Sequence, residues 1–464
     1  GVRAVVTLDH GIGVVADTVE QALQAKQALQ VDWTEAPSQE HDSQSAYEVY
    51  AGLVADGAAG RVLVDTGDVG RTMERAARRF DADYRNDYVY HCQMEPLNAV
   101  VSIAEDGRSA EVWAGSQAPD RAREAAAEAL GLPFEQVVFH PCYLGGGFGR
   151  RSMADYVEEA ARLAKAVQRP LKLLWTREDD LQYGAFRPIS LQRMAAAVDE
   201  NGLITAWSHH IAGPGDNLLA SGAVPTYYNI PNQHIAVRAV DHGIRTKHWR
   251  SVGHGPNKFA IEAFIDEIAT ALGIDPVEYR LRLMEGHPRA QQVLRTAAEL
   301  ADWRRPAPVG RARGIAFAER SGSLGAAVCE LSVDKNNGQL RVHRFWAALD
   351  AGVVVQPDNA IAQMEGGIVM GLSSVLKERI TFKNGAVEQS NYHNYPILRI
   401  SEAPESIDVR LIDSQEAPTG IGESGTPLVA GAVANAFAAL TGVRLRHLPF
   451  TPEKVLAAMS GKLS

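Results

Sequence analysis

A run of glycines at residues 145–149 is the first feature of the sequence that could do chemistry. It reads GGGFG and is followed by Arg150 and Arg151, which add positive charge. Glycines let a ligand approach the backbone, and free amides at the start of a helix bind phosphate or another anion. The spacing matches neither a Walker loop nor the G-x-G-x-x-G fingerprint. The run therefore predicts either an anion-binding loop or a tight turn between a strand and a helix.

Glu423 lies in a second glycine-rich segment, residues 420–427, ahead of a run of small residues. A carboxylate in such a turn can act as a general base if a proton donor comes within hydrogen-bond reach. Alternatively, the carboxylate only interacts favourably with the positive N-terminal end of the dipole of the following helix. The residues alone favour the dipole role, because the sequence does not show a proton donor.

Histidines and cysteines form no familiar metal-binding pattern in the sequence. His242, His248 and His254 recur every six residues, a spacing that suits neither one helix face nor a common zinc site. The 3 cysteines lie far apart and lack C-x-x-C spacing, which predicts neither a disulfide framework nor an iron-sulfur cluster. We expect no protein-ligated metal, so any redox role needs another cofactor.

Composition excludes several classes of protein. The 464 residues carry 46 Lys and Arg against 56 Asp and Glu, a net charge of −10, which argues against a dedicated binder of nucleic acid or anionic membranes. Hydrophobic residues at 46% and charged residues at 22% are typical of globular proteins. No apolar run approaches the roughly 20 residues that span a bilayer. The length predicts roughly two to four domains.

Three segments are predicted from the order of strand and helix signals. Residues 1–59 form a small α+β segment, in which Thr18 and Gln21 have the form of a capping box and residues 35–45 are a polar linker. Residues 60–303 form a second segment, and an Arg- and Pro-rich linker begins a third at residues 304–464.

The elements around the two glycine-rich segments follow from hydrophobic spacing. Asp120 is expected to cap a helix that Gly131 ends, and a strand at residues 136–144 leads into the glycine run. Apolar residues then recur at helical spacing from Met153 to Val167, followed by a strand at residues 171–176. In the third segment we predict strands at 326–333 and 340–349 and helices at 361–376 and 428–440.

Three separated stretches, taken together, resemble the molybdenum-binding subunit of the xanthine dehydrogenase and aldehyde oxidase family. They are LGGGFGRR at 144–151, HWRSVGH at 248–254 running into FAIEAFID at 259–266, and GESGTP at 422–427. Supporting stretches lie at 91–98, 170–179, 350–359 and 363–367. Within the family, the chain is most similar to the isoquinoline 1-oxidoreductase branch. The resemblance implies the multi-domain α+β fold of a molybdenum-hydroxylase large subunit.

The resemblance also implies a molybdopterin-type cofactor, in the cytosine dinucleotide form, whose molybdenum carries oxo and sulfido ligands. The cofactor would be held without a covalent bond from protein to metal by residues of three segments: Gly146, Gly147, Phe148, Gly149, Arg150, Arg250, Gly253 and Gln363. Glu423 would be the catalytic base in the oxidation of an aldehyde or an N-heterocyclic aromatic with oxygen derived from water. The cofactor carries the difficult chemistry, and the protein supplies position and electrostatics.

The sequence departs from the family pattern in two places. A segment of the form Glu-Met-Gly-Gln-Gly is absent, so we expect the chain to hold the later part of the molybdenum unit, its N-terminal part being supplied by another or a cleaved polypeptide. Where xanthine dehydrogenases have Arg-Gly-Phe-Gly, this chain has Arg250, Ser251, Val252 and Gly253. An aromatic substrate clamp at that loop, and with it purine specificity, is not expected.

Partners and location follow from the resemblance alone. Electrons should leave through a subunit with [2Fe-2S] clusters, and a cytochrome c subunit is a further expected partner. The export signals usual in this branch favour the periplasm, with the cytoplasm as the alternative. Two other functions stay open: a non-catalytic scaffold that completes a partner's cofactor pocket, and a flavin or nicotinamide enzyme that uses residues 145–149 for a diphosphate.

Overall fold

A computed structural model describes residues 1–34, 36–55 and 60–461. Glu35, at the start of the predicted linker, and Ala59, at the end of the first predicted segment, lie outside the described residues. The strands are β1 (Val2–Leu8), β2 (Gly11–Ala16), β3 (Arg61–Thr66), β4 (Arg78–Asn86), β5 (Asn98–Ile103), β6 (Ala110–Ala114), β7 (Val137–Pro141), β8 (Leu171–Leu174), β9 (Ser190–Val198), β10 (Ile204–Gly213), β11 (Asn232–Ala239), β12 (Ala312–Arg320), β13 (Ser323–Val333), β14 (Leu340–Asp350), β15 (Phe382–Lys383), β16 (Ala386–Val387), β17 (Ser406–Leu411) and β18 (His447–Leu448). The helices are α1 (Val19–Ala28), α2 (Ser43–Ala55), α3 (Val69–Glu74), α4 (Pro119–Leu130), α5 (Asp155–Val167), α6 (Arg177–Gln182), α7 (Asp216–Ala220), α8 (His254–Leu272), α9 (Pro276–Leu283), α10 (Pro288–Leu300), α11 (Pro357–Leu376), α12 (Pro427–Thr441) and α13 (Pro452–Met459).

The chain divides into two compact units, neither of which is one continuous segment. The first comprises Gly1–Gln39, His91–Ala185 and Gln389–Asn391, and the second comprises Glu40–Tyr90, Phe186–Glu388 and Tyr392–Ser464. The predicted segments 1–59, 60–303 and 304–464 are consecutive stretches of chain, whereas each compact unit is assembled from separate stretches. The boundaries of the three segments stay a prediction.

The first unit packs α4 and α5 on one four-stranded sheet of order β7-β6-β5-β8. Helix α5 buries Tyr156, Val157, Ala160 and Ala164 in this core, which confirms the helix predicted from apolar spacing. Strands β1 and β2 form an antiparallel hairpin that adds partly buried residues to the same core.

Asp120 does not cap α4, contrary to the expectation from the sequence. The helix begins one residue earlier, at Pro119, and its N-cap residue Ala118 makes no side-chain hydrogen bond. Proline suits the first helical position because it has no N–H to satisfy and its φ is already helical. Gly131 ends the helix in a left-handed conformation with φ 75°, as predicted.

The second unit has a six-stranded sheet, β18-β4-β9-β10-β11-β3, and a four-stranded sheet, β12-β13-β14-β17. Helix α8 packs against β4 and β9 of the first sheet and against α12, which itself packs on β12 and β13 of the second. A Cβ on Gly314 of β12 would lie 2.0 Å from the amide nitrogen of Ala436, so α12 rests directly on the strand backbone. The predicted strands and helices of the third segment are all present, with ends shifted by a few residues.

None of the described helices is both long enough and apolar enough to cross a membrane.

Candidate functional site

The glycine run forms a loop in which three residues have a positive φ. Gly146 and Gly149 have φ of 94° and 111°, and Phe148 has φ of 51°. These angles lie in the left-handed region, which residues other than glycine disfavour. A Cβ on the buried Gly147 would come within 2.5 Å of Gln117 Oε1. The loop is therefore specified by both its conformation and its packing.

Two side chains from elsewhere in the first unit hold this loop in place. The Gly149 amide donates to Gln117 Oε1 at 2.9 Å, and the Gly145 amide donates to Glu95 Oε2 at 2.8 Å. Sequence reasoning did not identify Gln117, because a lone glutamine thirty residues from the loop carries no signal.

Arg150 and Arg151, which follow the loop, are both buried. Arg150 forms a bidentate ion pair with Asp155, with distances of 2.9 and 2.7 Å, and stacks over Trp175. Arg151 donates to the Gly146 carbonyl at 3.0 Å. Asp155 balances the charge of Arg150, so there is less positive charge beside the loop than the sequence predicts. A contact of Arg150 with a cofactor stays a prediction.

The loop is not the N-terminus of an α-helix, contrary to one expectation. A short 3₁₀ turn, Arg150–Ser152, follows it, and α5 begins only at Asp155. Asp155 and Glu158 already place negative charge in the first turn of α5, where it interacts favourably with the helix dipole. Any anion held here would therefore be bound by the amides of the loop itself.

Glu423 lies in the second unit, where two residues bind its carboxylate. The Ser251 amide donates to Oε1 at 2.9 Å, and Arg320 Nε donates to Oε2 at 2.8 Å. The Ser251 hydroxyl also donates to the Glu423 carbonyl at 2.6 Å. The Glu423 side chain is 33% exposed, so a ligand can reach it. These partners, and not the amides of α12, account for the described contacts of the carboxylate.

Arg250 joins the segment that carries Glu423 to α11. Its Nε donates to the Gly422 carbonyl at 2.9 Å and its Nη2 donates to Gln363 Oε1 at 2.9 Å. Burial lowers the pKa of Arg250, and the charge of Glu423 opposes that change. The structure thus brings together three residues predicted from separate motifs: Arg250, Gln363 and Glu423.

The loop that presents Ser251 is strained and tightly packed. Ser251 and Val252 have φ of 80° and 55°, which is costly for residues with side chains and typical of functional sites. A Cβ on Gly253 would lie 2.3 Å from the Leu218 carbonyl oxygen. Gly253 is therefore required for the loop to pack, and its contact with a cofactor stays a prediction.

Sequence reasoning missed Arg320 and did not recognise the role of Ser251. Arg320 ends β12, 103 residues before Glu423 in the chain. No local pattern connects these positions. In the sequence, Ser251 stands out only as a departure from the family loop.

Two histidines of the six-residue series, His242 and His254, have separate partners. His242 Nε2 lies 2.7 Å from the Tyr50 hydroxyl, and His254 Nδ1 lies 3.0 Å from the Ser221 hydroxyl. Burial lowers the pKa of His254 to about 3, so its ring is neutral at physiological pH. Across residues 1–34, 36–55 and 60–461, no group of three or more His, Cys, Asp or Glu side chains is placed to hold a metal ion.

Comparison with protein families gives two matches. Models described as the molybdopterin cofactor-binding domain match residues 54–284 and residues 299–404. Together these ranges contain both Arg250 and Gln363, whereas Glu423 lies beyond them.

Two curated relatives match nearly all of this chain. The beta chain of isoquinoline 1-oxidoreductase from Brevundimonas diminuta is 34% identical, over 99% of this chain and 62% of the relative. The second relative, a component of nicotinate dehydrogenase from Pseudomonas putida, is 31% identical, over 100% of this chain and 41% of the relative. The chain thus spans less than two thirds of the length of either relative.

Among solved structures, quinoline 2-oxidoreductase from Pseudomonas putida 86 superposes with a TM-score of 0.84. The match covers 98% of this chain and 86% of that chain at 15% sequence identity. It confirms the predicted multi-domain α+β fold.

Proposed function

Because the chain belongs to the molybdopterin cofactor-binding domain family, we propose that it is part of a molybdenum hydroxylase that oxidises an N-heterocyclic aromatic or an aldehyde. The two relatives are by name enzymes of isoquinoline and nicotinate, both N-heterocyclic aromatics. The observation that carries the proposal is the reachable carboxylate of Glu423, fixed by Ser251 and Arg320 beside the Arg250–Gln363 pair.

Each of the two units, considered by itself, has residues that suit an anionic ligand rich in hydrogen-bond acceptors. In the first unit, positive φ angles and the absence of side chains at Gly146, Gly147 and Gly149 leave backbone that a ligand can approach closely. In the second unit, the buried Arg250 cation is hydrogen-bonded to neutral carbonyl and amide oxygens. We assign these residues, with Phe148, Gly253 and Gln363, to cofactor binding.

When bound, the cofactor supplies the redox chemistry that adds water-derived oxygen to the substrate and takes up two electrons. The chain's own task is to position the reactants and to accept a proton at Glu423. Of the two carboxylate oxygens, Oε2 receives the charged hydrogen bond from Arg320, whereas Oε1 receives a neutral one from the Ser251 amide. Arg320 contacts Oε2 through both Nε and Nη2, whereas the Ser251 amide is the one described donor to Oε1. Oε1 is therefore the atom that we assign as the proton acceptor.

The test is Glu423→Gln in the purified enzyme complex. General base catalysis contributes about 10²- to 10⁴-fold, so we expect turnover to fall by at least about 100-fold while the molybdenum content is unchanged. Glu416→Gln is the matched control, because Glu416 is an exposed glutamate of the same unit and the variant should keep full activity. Normal turnover of Glu423→Gln would refute the catalytic assignment.

The finer composition of the enzyme is also proposed. We infer that the cofactor is the cytosine dinucleotide form and that [2Fe-2S] clusters reside on a partner subunit. A cytochrome c subunit and a periplasmic location, with the cytoplasm as the alternative, rest on the family resemblance. Nucleotide analysis of denatured protein and sequencing of copurifying chains test these points, and finding flavin in place of molybdenum would favour a dinucleotide enzyme.

A further inference from the structure

Ser323 is a buried serine that the proposed mechanism does not use. It begins β13 and pairs with Arg320, the last residue of β12, across a two-residue turn. The turn residues Ser321 and Gly322 have φ of 53° and 84°, the two positive values of a tight turn that matches the twist of its strands. Ser323 is 0% exposed, and a buried hydroxyl is costly unless it is hydrogen-bonded. Its hydroxyl is therefore expected to bind a specific partner.

The Ser323 hydroxyl binds the segment that leads to Glu423. It donates to the Gly420 carbonyl at 2.9 Å, and its oxygen lies 2.7 Å from the Thr419 hydroxyl oxygen. A serine hydroxyl has one proton to donate. With that proton directed at Gly420, the Thr419 hydroxyl is the donor of the second bond. The result is a chain of two hydrogen bonds that runs from Thr419 through Ser323 to Gly420.

The hairpin turn itself packs against the same segment. The Gly420 amide donates to the Ser321 carbonyl at 3.1 Å. A Cβ on Gly322 would lie 2.8 Å from Thr419 Cγ2, and a Cβ on Gly420 would lie 2.7 Å from Ser321 Cβ. Neither glycine has room for a side chain unless its neighbour moves, so the turn and the segment are in direct contact.

The same hairpin binds Glu423 a second time, through its carboxylate. Arg320, which lies opposite Ser323 in the hairpin register, donates from Nε to Glu423 Oε2 at 2.8 Å. Three residues beyond Glu423, the segment is anchored to α11, where the Thr426 hydroxyl donates to the Gly367 carbonyl at 3.1 Å. The hairpin thus fixes the start of the segment, and α11 fixes its end.

We propose that Ser323 is a positioning residue for the reaction, which acts on Glu423 through Thr419 and Gly420. One tight turn sets both the backbone that leads to the carboxylate and the guanidinium of Arg320 that binds it. The base therefore cannot move relative to Arg320 without breaking hydrogen bonds to the turn. The inference rests on the proposed function, in which Glu423 accepts a proton. A misplacement of about 1 Å at a reacting group can slow the chemical step about 100-fold.

The experiment compares the wild-type complex with Ser323→Ala and Thr419→Val, each of which removes one hydroxyl of the chain. We expect kcat to fall by about 10-fold in each variant, with KM within about twofold of wild type and the molybdenum content unchanged. Because the two hydroxyls act in one chain, kcat of the double variant should be at most about twofold below that of Ser323→Ala. Thr419→Ser, which keeps the hydroxyl, should recover most of the rate.

Ser332→Ala is the matched control on the same strand. Ser332 lies near the other end of β13, and its hydroxyl lies 2.8 Å from His343 Nε2. This variant also removes a hydroxyl that is hydrogen-bonded in the structure, but one that does not contact the Glu423 segment. We expect its kcat and KM to equal the wild-type values, which separates positioning of Glu423 from a general effect on the sheet.

A second measurement does not depend on turnover. Amide hydrogen exchange of residues 419–424, followed by mass spectrometry, reports how often this segment opens. The loss of one net hydrogen bond should make exchange at least about fivefold faster in Ser323→Ala. In Ser332→Ala, exchange of the same residues should match wild type.

The outcomes separate this inference from the proposed function. A kcat of Ser323→Ala within about twofold of wild type, or an equal loss in Ser332→Ala, overturns the positioning role, and an inactive Glu423→Gln then still supports the proposed function. If Glu423→Gln keeps full activity, the proposed function fails instead. The exchange measurement then decides alone whether Ser323 fixes the position of residues 419–424, and exchange at the wild-type rate refutes it.

Discussion

Glu423, the proposed base, and its ion-pair partner Arg320 are both partly exposed. The side chains of Arg320 and Glu423 are 21% and 33% exposed, and ion pairs at such positions contribute about 0–1 kcal/mol to stability. The pair therefore contributes little to folding. Its effect lies in orientation, because Arg320 holds Oε2 and the Ser251 amide holds Oε1.

Arg320→Gln should lower kcat by about 10- to 100-fold, since small misplacements of a catalytic group have effects of this size. The molybdenum content and the midpoint of urea unfolding should stay at the wild-type values. Arg320→Lys, which keeps the charge but not the fork, should recover part of the rate. Steady-state kinetics on the molybdenum-loaded complex measure this, and an unchanged kcat in Arg320→Gln would show that Arg320 does not position the base.

Among the elements, α11 is packed directly against the segment that carries Glu423. A Cβ on Gly425 would lie 2.6 Å from the Met364 carbonyl oxygen and 3.2 Å from the Ile368 amide nitrogen, both in α11. A Cβ on Gly422 of the same segment would meet nothing within 4 Å. Packing against α11 thus leaves no room for a side chain at position 425, whereas position 422 has room for one, a difference that the sequence does not reveal.

Gly425→Ala should destabilise the protein by about 1–3 kcal/mol, because backbone atoms of α11 must move to admit the methyl group. Gly422→Ala should change the free energy of unfolding by less than about 0.5 kcal/mol. Urea unfolding of both variants provides the comparison. Equal stabilities would mean that the contact between α11 and the Glu423 segment is looser than the structure shows.

A buried ion pair joins α8 to α9 and β12 in the same unit. Glu262 accepts hydrogen bonds from Arg280 Nε at 2.8 Å, from the Tyr228 hydroxyl at 2.6 Å and from the Phe317 amide at 2.9 Å. The side chains of Arg280 and Glu262 are 0% and 1% exposed. Removing one partner of such a pair leaves an uncompensated buried charge.

Arg280→Met should therefore lower the free energy of unfolding by about 3–5 kcal/mol. Arg282→Met is the matched control on α9, because the Arg282 side chain is 47% exposed and lies 3.4 Å from Glu278; its effect should stay below about 0.5 kcal/mol. Chemical unfolding followed by circular dichroism measures both. A loss of stability below about 1 kcal/mol in Arg280→Met would contradict this account.

For the molecule as a whole, Glu378 makes stability depend on pH. Burial raises the pKa of Glu378 to about 7, against opposing hydrogen bonds from Ser373 and Tyr395 and the charge of Arg187. The native state therefore binds a proton that the unfolded chain releases near its ordinary pKa. It follows that the contribution of Glu378 is fully present below about pH 4.5 and is lost as the pH rises to about 7.

Glu378→Gln should remove this dependence. The difference in unfolding free energy, wild type minus variant, should fall by about 2–3 kcal/mol between pH 4.5 and pH 7.5. The exposed control Glu416→Gln should show no such trend over the same range. Urea unfolding at a series of pH values tests the prediction, and a difference that is flat or rises with pH would contradict it.

The sequence by itself determined the local elements and the set of motifs. The spacing of apolar residues predicted α5, α12 and their flanking strands, because helical periodicity is a property of neighbouring residues. Motif order indicated the family and selected Arg250, Gln363 and Glu423 as site residues. The prediction that Asp120 caps α4 was wrong, since the helix begins at Pro119. The 3₁₀ turn at Arg150–Ser152, which separates the glycine loop from α5, was not predicted.

Only the tertiary structure decided which groups face one another. Ser251 and Glu423 meet across 172 residues of chain, and Arg320 meets Glu423 across 103 residues. Hydrogen bonding, burial and desolvation arise from contacts between distant segments, so they cannot be read from any local pattern of residues.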